Sequence, residues 1–393
     1  MNLGADPEFA LGKKGKDGVV TVIAPHLLGV PHKTAGWTVG YGSMYRDGYS
    51  LEAAPNPSTC RETLTSNLGV TLQEALNRIH QKDKDVGLFA LPTIQADMEA
   101  VNNGPEDIRH FGCEPAFSAY NEGRAIPVEI DASTHPLRYT GGHMHFCLGA
   151  IKYPTNFGPI IERAAFDRNY IQIREEKREK VVNLQVALAL REGKLEKARE
   201  LLAPLVRQLD LSVGLLTTVL NGTPAEAARR RHYGKAGEFR LQTYPGNMYG
   251  IEYRVPSSVA FIDVASISLH YLVGRAVVTD WLKGSSAYEW KESDLTQGII
   301  NEARWEEATE QLLEGPNRAT LNGLFKGQGY TPLMKGDLLV LRKKTLAREG
   351  VVNVAQLQGQ AVHGFSYWRK QNAVARGKVN EVPVEGMMEE RAA

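Results

Sequence analysis

A His-x-His pair, His143 and His145, directly follows two glycines, Gly141 and Gly142. Residues two apart in an extended strand point to the same face, so the spacing predicts that both imidazoles project into one space. The glycines permit another group to approach the backbone closely just before the pair. Two such imidazoles favour a metal ion, a phosphate or an anionic reacting group. The alternative interpretation is a surface strand with two unrelated histidines.

Carboxylates occur in four short segments that suit the same chemistry. Asp6 and Glu8 are also two residues apart, and adjacent carboxylates repel unless a cation lies between them, which favours a divalent metal with oxygen ligands. Glu52 lies in a mainly apolar run, where a carboxylate needs a partner. Glu114 stands beside small residues and a turn, and Glu252 opens a Glu-x-Arg sequence. For the N-terminal pair, the alternative is an ordinary polar terminus.

Arginines accompany the last of these carboxylates. Arg254 shares a strand face with Glu252, and a metal-binding carboxylate beside a phosphate-binding guanidinium suits phosphoryl chemistry. The alternative is a cross-strand salt bridge, which is common and contributes little. Upstream, the basic segment 229–240 contains Arg230 and Arg240, which could reach a polyphosphate. Taken alone, that segment is also typical of a solvated helix end.

Four of these segments together carry a family resemblance. They are residues 4–9, 141–145, 233–237 and 252–254, which read GADPEF, GGHMH, YGKAG and EYR. In this order they resemble the COOH–NH2 ligase type 2 family, the phage amidoligase group related to glutamine synthetase and glutamate–cysteine ligase. The matching segments extend from residue 4 to about residue 258 of the 393.

The resemblance implies an α+β protein with a glutamine-synthetase-like catalytic fold, in which an antiparallel sheet flanked by helices has a concave active-site face. It also implies an enzyme that uses ATP and Mg²⁺ or Mn²⁺ as cofactors. ATP would phosphorylate a carboxylate, and an amine would then displace phosphate from the acyl phosphate to form an amide or peptide bond. The implied partners are a carboxylate substrate and an amine substrate, each a small molecule or a peptide.

Two alternatives stay open beside this ligase. One is an ATP-dependent phosphotransferase of the guanidine-kinase type on the same scaffold, which forms no acyl phosphate. The other is a non-catalytic phage structural protein that retains the fold. The first would leave a phosphorylated acceptor in place of an amide. The second predicts that changes at Glu8, His143 or Glu252 affect assembly but no ATP reaction.

The resemblance assigns a role to each candidate residue. The implied metal ligands are Glu8, Glu52, Glu114, Glu252 and His143. His143 is alternatively a phosphate ligand, His145 contacts the same site or the substrate, and Asp6 is a ligand or a base. The implied γ-phosphate ligands are Arg240 and Arg254, with Arg230 as a third. Glutamine synthetase has a further arginine where this chain has Gly250, so Arg240 is the candidate for the missing charge.

The overall composition is that of a soluble protein with almost no net charge, and therefore without a strong overall electrostatic field. Lys and Arg number 46 against 45 Asp and Glu, a net charge of +1, which predicts no general nucleic-acid or membrane binding. The three cysteines form no Cys-x-x-Cys pair, which favours a reducing compartment. The sequence predicts a cytoplasmic protein, in the host cytoplasm if it is phage-encoded, and permits a homo-oligomer.

His143, His145 and Cys147 would share one strand face, which offers a zinc site as a further alternative. Successive residues on one face lie about 7 Å apart by strand rise. Three such residues therefore cannot bind one ion unless the strand bends. The sequence favours the divalent-metal site with carboxylate ligands over a zinc site.

The elements that position these residues alternate along the chain. Periodicity predicts short strands over 1–55, a helix over 57–80, strands over 122–150, a long helical region over 158–220, and helices over 259–282 and 300–314. We predict a catalytic domain over 1–285, including 158–220, and a C-terminal extension over 286–393 with a disordered tail. Within that extension, 338–341 is a strand or a buried helix, and 365–368 is an aromatic anchor.

Overall fold

The structure is a computed structural model that describes residues 1–109, 116–127, 130–151, 181–283, 290–327 and 330–358. An 11-stranded sheet is its main feature, with the strand order β3-β4-β5-β1-β11-β13-β12-β8-β9 and with β2 and β6 also pairing with β1. These strands are β1 (Leu3–Lys14), β2 (Val20–Val22), β3 (Trp37–Val39), β4 (Gly42–Asp47), β5 (Ser50–Pro55), β6 (Gly87–Phe89), β8 (Phe117–Ser118), β9 (Arg124–Ala125), β11 (Gly142–Ala150), β12 (Glu238–Tyr244) and β13 (Met248–Tyr253). The strands β7 (Thr93–Gln95) and β10 (Leu137–Tyr139) form a separate two-stranded sheet.

Twelve α-helices occur among the described residues. They are α1 (Arg61–His80), α2 (Met98–Asn103), α3 (Val181–Arg191), α4 (Leu195–Leu209), α5 (Leu215–Asn221), α6 (Pro224–Arg230), α7 (Val264–Lys283), α8 (Leu295–Asn301), α9 (Trp305–Leu313), α10 (Arg318–Gly327), α11 (Lys335–Ala347) and α12 (Val354–Gln358). A π-helical segment, Asp210–Gly214, joins α4 to α5. Short 3-10 turns lie at Pro25–Leu28, Lys33–Ala35, Glu106–Arg109 and Ser258–Phe261.

The central strands have one apolar face and one polar face. Leu3 and Phe9 of β1 are fully buried in the core, while Asp6 and Glu8 alternate with them and point to the opposite side. The same alternation in β11 buries Phe146 against the helices and turns the two histidines to the polar side. Because five neighbouring strands keep this alternation in register, the polar residues of all five share one face.

Helices cover the apolar face. In α1, Leu64, Leu68 and Leu72 recur at helical spacing, and all three are buried in the core that this helix shares with β4 and β5. The helix α7 packs on β11, and its Tyr271 hydroxyl donates a hydrogen bond to the Gly4 carbonyl at the start of β1. These contacts fix the strands that carry the motif residues.

The predicted α+β class is confirmed: the described residues combine a large antiparallel sheet with helices. The helix predicted over 57–80 begins only at Arg61, because Ser58 pairs with Leu3 and keeps the preceding chain extended. The helix predicted over 300–314 is interrupted at Ala303, whose φ is 54°, so it forms parts of α8 and α9. Residues 338–341 belong to α11.

Several predictions fall outside the described residues, namely the start of the 158–220 helical region, the aromatic anchor at 365–368 and the C-terminal tail. Within the described part of the chain, Leu312, Leu338 and Leu357 of the predicted extension pack into the same hydrophobic core as the sheet. The domain boundary at 285 stays a prediction. No helix of the described residues combines the length and the apolar character that crossing a bilayer requires.

Candidate functional site

Strand register brings the motif residues into one row on the polar face. The five strands in order are β5, β1, β11, β13 and β12. Directly opposed pairs are Glu52 with Glu8, Asp6 with His143, His145 with Glu252, and Glu252 with Arg240. Residues from four distant parts of the sequence therefore become neighbours, because side chains opposite each other in a ladder lie about 5 Å apart.

The first ligand group consists of Asp6, His145 and Glu252. One ligand atom of each lies within 4.8 Å of the others. The Asp6 carboxylate faces both histidines, with 3.0 Å from Oδ2 to His145 Nε2 and 3.0 Å from Oδ1 to His143 Nδ1. The other ring nitrogen of His145, Nδ1, lies 3.1 Å from the Tyr244 hydroxyl. Both ring nitrogens of His145 are thus held, and the ring orientation is fixed.

The second ligand group consists of Glu8, Asp47 and Glu52, again with ligand atoms within 4.8 Å of one another. Asp47 is the last residue of β4. The tight turn through Gly48, whose φ is 52°, returns the chain along β5 and so brings Glu52 beside Asp47. The Tyr45 hydroxyl donates a hydrogen bond of 2.5 Å to Glu52 Oε1. This group offers oxygen ligands only.

Tyr233 links Glu8 of the second group to His143, which among the described residues belongs to neither ligand group but faces Asp6 and Glu252 through Nδ1. Its hydroxyl lies 3.0 Å from Glu8 Oε1 and 2.8 Å from His143 Nε2. The backbone N–H of Gly141 donates to Glu8 Oε2 at 2.7 Å. A Cβ on Gly141 would lie 2.2 Å from His143 Nε2, so a larger residue at this position would displace the buried His143 ring from its contacts. The Gly-Gly motif therefore serves both the histidine and the carboxylate.

Electrostatics differ between the two groups. Burial, followed by the Asp6, Asp47 and Glu8 carboxylates, raises the pKa of Glu52 well above its usual range. Burial likewise raises the pKa of Glu8, with Asp47 adding to the effect and His143 opposing it. The pKa of Asp47 is raised by burial as well. This all-carboxylate group carries excess negative charge, which protons or a cation can relieve.

In the histidine-containing group, positive and negative charges are closer to balance. Burial alone would raise the pKa of Asp6, but His145 and His143 outweigh it and hold that pKa below its usual range. Burial opposes ionisation of Glu252 too, yet Arg254 and His143 lower its pKa to about 2. For His145, burial lowers the pKa, and the charge of Asp6 more than reverses this, so the net pKa is raised. Ionised carboxylates face positive charge here.

The three predicted arginines occupy different positions. Arg254 is fully buried; it contacts Glu252, and its Nε donates to Glu238 Oε1 at 3.2 Å. Arg240 places Nη1 3.6 Å from Glu252 Oε1 and keeps 15% of its side chain exposed. The structure brings these two to the row but not Arg230, which donates to Thr218 Oγ1 and to the Ile300 carbonyl between helices. Glu114 lies outside the described residues.

Several residues of the site received no role from the sequence. They are Tyr45, Asp47, Tyr233, Glu238, Gln242 and Tyr244. Asp47 had a detectable signal, since Asp-Gly between two strand-like runs favours a hairpin turn that would return it to Glu52. Cys147 belongs to neither ligand group among the described residues. No family model matches the chain, and no curated protein matches it significantly.

Proposed function

We propose that the protein is an ATP- and divalent-metal-dependent carboxylate–amine ligase with a glutamine-synthetase-like catalytic fold, related to the phage amidoligases. The supporting observation is that the two ligand groups lie side by side on one face of an antiparallel sheet, flanked by Arg240. Within each group, the ligand atoms lie within 4.8 Å of one another. ATP and a carboxylate substrate are both anionic, so cations must neutralise them before they can react. The sheet face supplies ligands for those cations and a guanidinium for phosphate.

The donor atoms fit divalent cations. Glu8, Asp47 and Glu52 offer the all-oxygen set that Mg²⁺ and Mn²⁺ prefer, while Asp6, Glu252 and His145 combine oxygen with one imidazole nitrogen. The raised pKa values of the first set, caused by burial, are those expected of ligands that a bound cation would hold ionised. Held by these residues, such cations would offset the charge of the phosphates and supply Lewis acidity.

The protein side chains would then have distinct tasks. Arg240 is partly exposed and is suited to bind the transferred phosphoryl group. Arg254 lies behind Glu252 and keeps that carboxylate ionised, so its contribution is to the ligand and not directly to phosphate. His145 is held by Asp6 and Tyr244, which fixes its ring for contact with a metal or with the substrate.

The test is thermal unfolding with and without ATP plus Mg²⁺ or Mn²⁺, for the wild type and for Glu52→Gln. Ligand at about a hundred times its Kd should stabilise the wild type by about 2.7 kcal/mol. Glu52→Gln should lose most of this effect and still fold, because the substitution removes a repelling charge from the interior. Glu314→Gln, an exposed carboxylate paired with Lys335, is the control and should respond like the wild type.

Products separate the ligase from its alternatives. A ligase releases ADP and phosphate and forms an amide when carboxylate and amine are both present. A stable phosphorylated acceptor with no amide would establish the phosphotransferase instead. No metal-dependent nucleotide effect on the unfolding of the wild type would contradict both enzymatic functions.

A further inference from the structure

A cavity lies between helices on the helical side of the sheet, and its lining is separate from the ligand groups. It has a volume of about 580 Å³ and is lined by the start of α1, by α7 and by the end of α10 with Tyr330. This volume is within the range of roughly 300–1,000 Å³ that small-molecule sites occupy. None of the residues in the two ligand groups lines it.

The first turn of α1 contributes positive potential to this cavity. Cys60 is the N-cap residue and provides no side-chain hydrogen bond to cap the helix. The first N–H groups of a helix have no partner within the helix, and over 20 residues the aligned peptide dipoles place a partial positive charge there. A helix start of this kind favours an anion.

Arg61 is the independent observation that points to a ligand. It lines the cavity and is only 7% exposed, and its guanidinium lies over the ring of Tyr330, another lining residue, at 5.6 Å from the ring centroid. Among the described residues, its Nη2 has no hydrogen-bond partner, and Nε has only the Glu62 carboxylate at 3.3 Å. A buried guanidinium with an unused donor is costly unless an acceptor approaches it.

The remaining lining defines the rest of the ligand. Arg275 and Lys283 bring the number of cations in the lining, with Arg61, to three. The lining carboxylates are Glu62 and Asp280, so the formal charge of the lining is positive. Glu62 is already engaged, since it accepts a hydrogen bond of 2.8 Å from the Cys60 thiol. Leu272, Ala276 and Leu324 form an apolar wall.

We propose that this cavity binds a small organic anion, with its phosphate or carboxylate group at Arg61 and the start of α1 and a short apolar portion against α7 and α10. A guanidinium pairs with both head groups through parallel N–H donors, so the geometry fits their shared oxyanion chemistry. The site does not depend on the proposed ligase function, because no residue is shared with the sheet face.

Cys60 provides a local readout. It lines the cavity and is half-buried, and Cys147 on β11 is a half-buried cysteine outside it. We would measure alkylation of each cysteine by mass spectrometry in the presence of hexyl phosphate, hexanoate or hexanol, with EDTA present to suppress binding at the sheet face. At about ten times its Kd, a bound anion should slow Cys60 alkylation about tenfold by occupancy and leave Cys147 unchanged.

Variants make the assignment specific. Arg61→Gln should weaken protection by about 10- to 100-fold in ligand concentration, the effect of losing a charged hydrogen bond. Lys283→Gln, at the exposed end of α7, should also weaken protection by the anion. It keeps the proposal testable if Arg61→Gln fails to fold. Arg78→Gln at the far end of α1, paired with Glu74, is the matched control.

Each outcome has a definite meaning. Protection by only one of the two anions identifies the head group, and protection by both establishes general oxyanion binding. Equal protection by hexanol, protection by neither anion, or protection that survives both Arg61→Gln and Lys283→Gln would overturn the proposal.

Discussion

Glu52 shows how one residue couples the fold to its ligands. Its carboxylate is buried beside Asp47 and Glu8, and among the described residues the Tyr45 hydroxyl is its one direct hydrogen-bond donor. Such a group is stabilised by a proton at low pH or by a metal ion at higher pH. The two occupants compete for the same oxygen atoms, so pH and metal should have linked effects on stability.

We expect the metal-free protein to lose stability as pH rises. The folded-state pKa of Glu52 is raised by burial and by neighbouring carboxylates, so its contribution is complete below the ordinary value of 4.5 and is lost as pH rises through the folded-state pKa. Unfolding midpoints measured in EDTA from pH 5 upward should fall more steeply for the wild type than for Glu52→Gln. Mg²⁺ or Mn²⁺ should flatten the wild-type slope. Identical slopes for both proteins in EDTA would contradict this account of Glu52.

The residues of the site were predictable only where local spacing decided them. Asp6 with Glu8 and His143 with His145 share a face because alternate residues of any strand do. Tyr233 could not be placed, because its contacts to Glu8 and His143 depend on a loop that returns over the sheet. Arg254 was expected to face phosphate, and no sequence rule shows that Glu238 pairs with it from a neighbouring strand.

At the scale of elements, the π-helical segment Asp210–Gly214 interrupts the helical layer directly behind the site. Tyr253, the neighbour of Glu252 in β13, donates a hydrogen bond of 2.7 Å to Asp210 Oδ1. Both residues are fully buried. The extra residue in a π-helical turn changes the direction of the side chains. Here it brings Asp210 against Tyr253 on the face of β13 opposite the ligand groups. Periodicity predicted helix across this region and could not reveal the irregular turn.

Asp210 should make stability depend on pH in a second, separable way. Burial raises its pKa to about 7 against the opposing effect of two tyrosine hydroxyls. Its stabilising contribution is therefore complete below the ordinary value of 3.8 and is lost as pH rises to about 7, at up to about 1.4 kcal/mol per pH unit. Asp210→Asn should be more stable than the wild type at pH 8, measured by urea unfolding, with the advantage reversed or absent near pH 4. The exposed Asp294→Asn is the control, and a constant difference across this range would refute the assignment.

At the scale of the whole molecule, the last described segment closes on the first helix. Backbone hydrogen bonds join Gly350 to Ala90 and Val352 to Leu88, beside β6. The helix α12 then packs against α1, whose other neighbours include β4 and β5 of the site. Motif spacing gave no indication of this contact, because it depends on backbone approach between segments almost three hundred residues apart. Residues 350–358 therefore support the helix α1, which packs on the strands β4 and β5 that carry Asp47 and Glu52.

Gly69 is the position where this closure can be tested. A Cβ at this position in α1 would lie 2.5 Å from the Gln358 backbone nitrogen and 2.6 Å from the Leu357 carbonyl carbon. Alanine is favoured over glycine in a helix by about 1 kcal/mol, but forcing two backbones apart costs about 1–3 kcal/mol or more. We therefore expect Gly69→Ala to lower the free energy of unfolding in urea. Gly336→Ala in α11 places its Cβ in open space, with no atom of the described residues within 4 Å outside the adjoining helix backbone. This variant should leave the free energy of unfolding unchanged or raise it by up to about 1 kcal/mol. If both variants were stabilised alike, α12 would not be docked on α1 in solution, and the site strands would depend on the remaining helices alone.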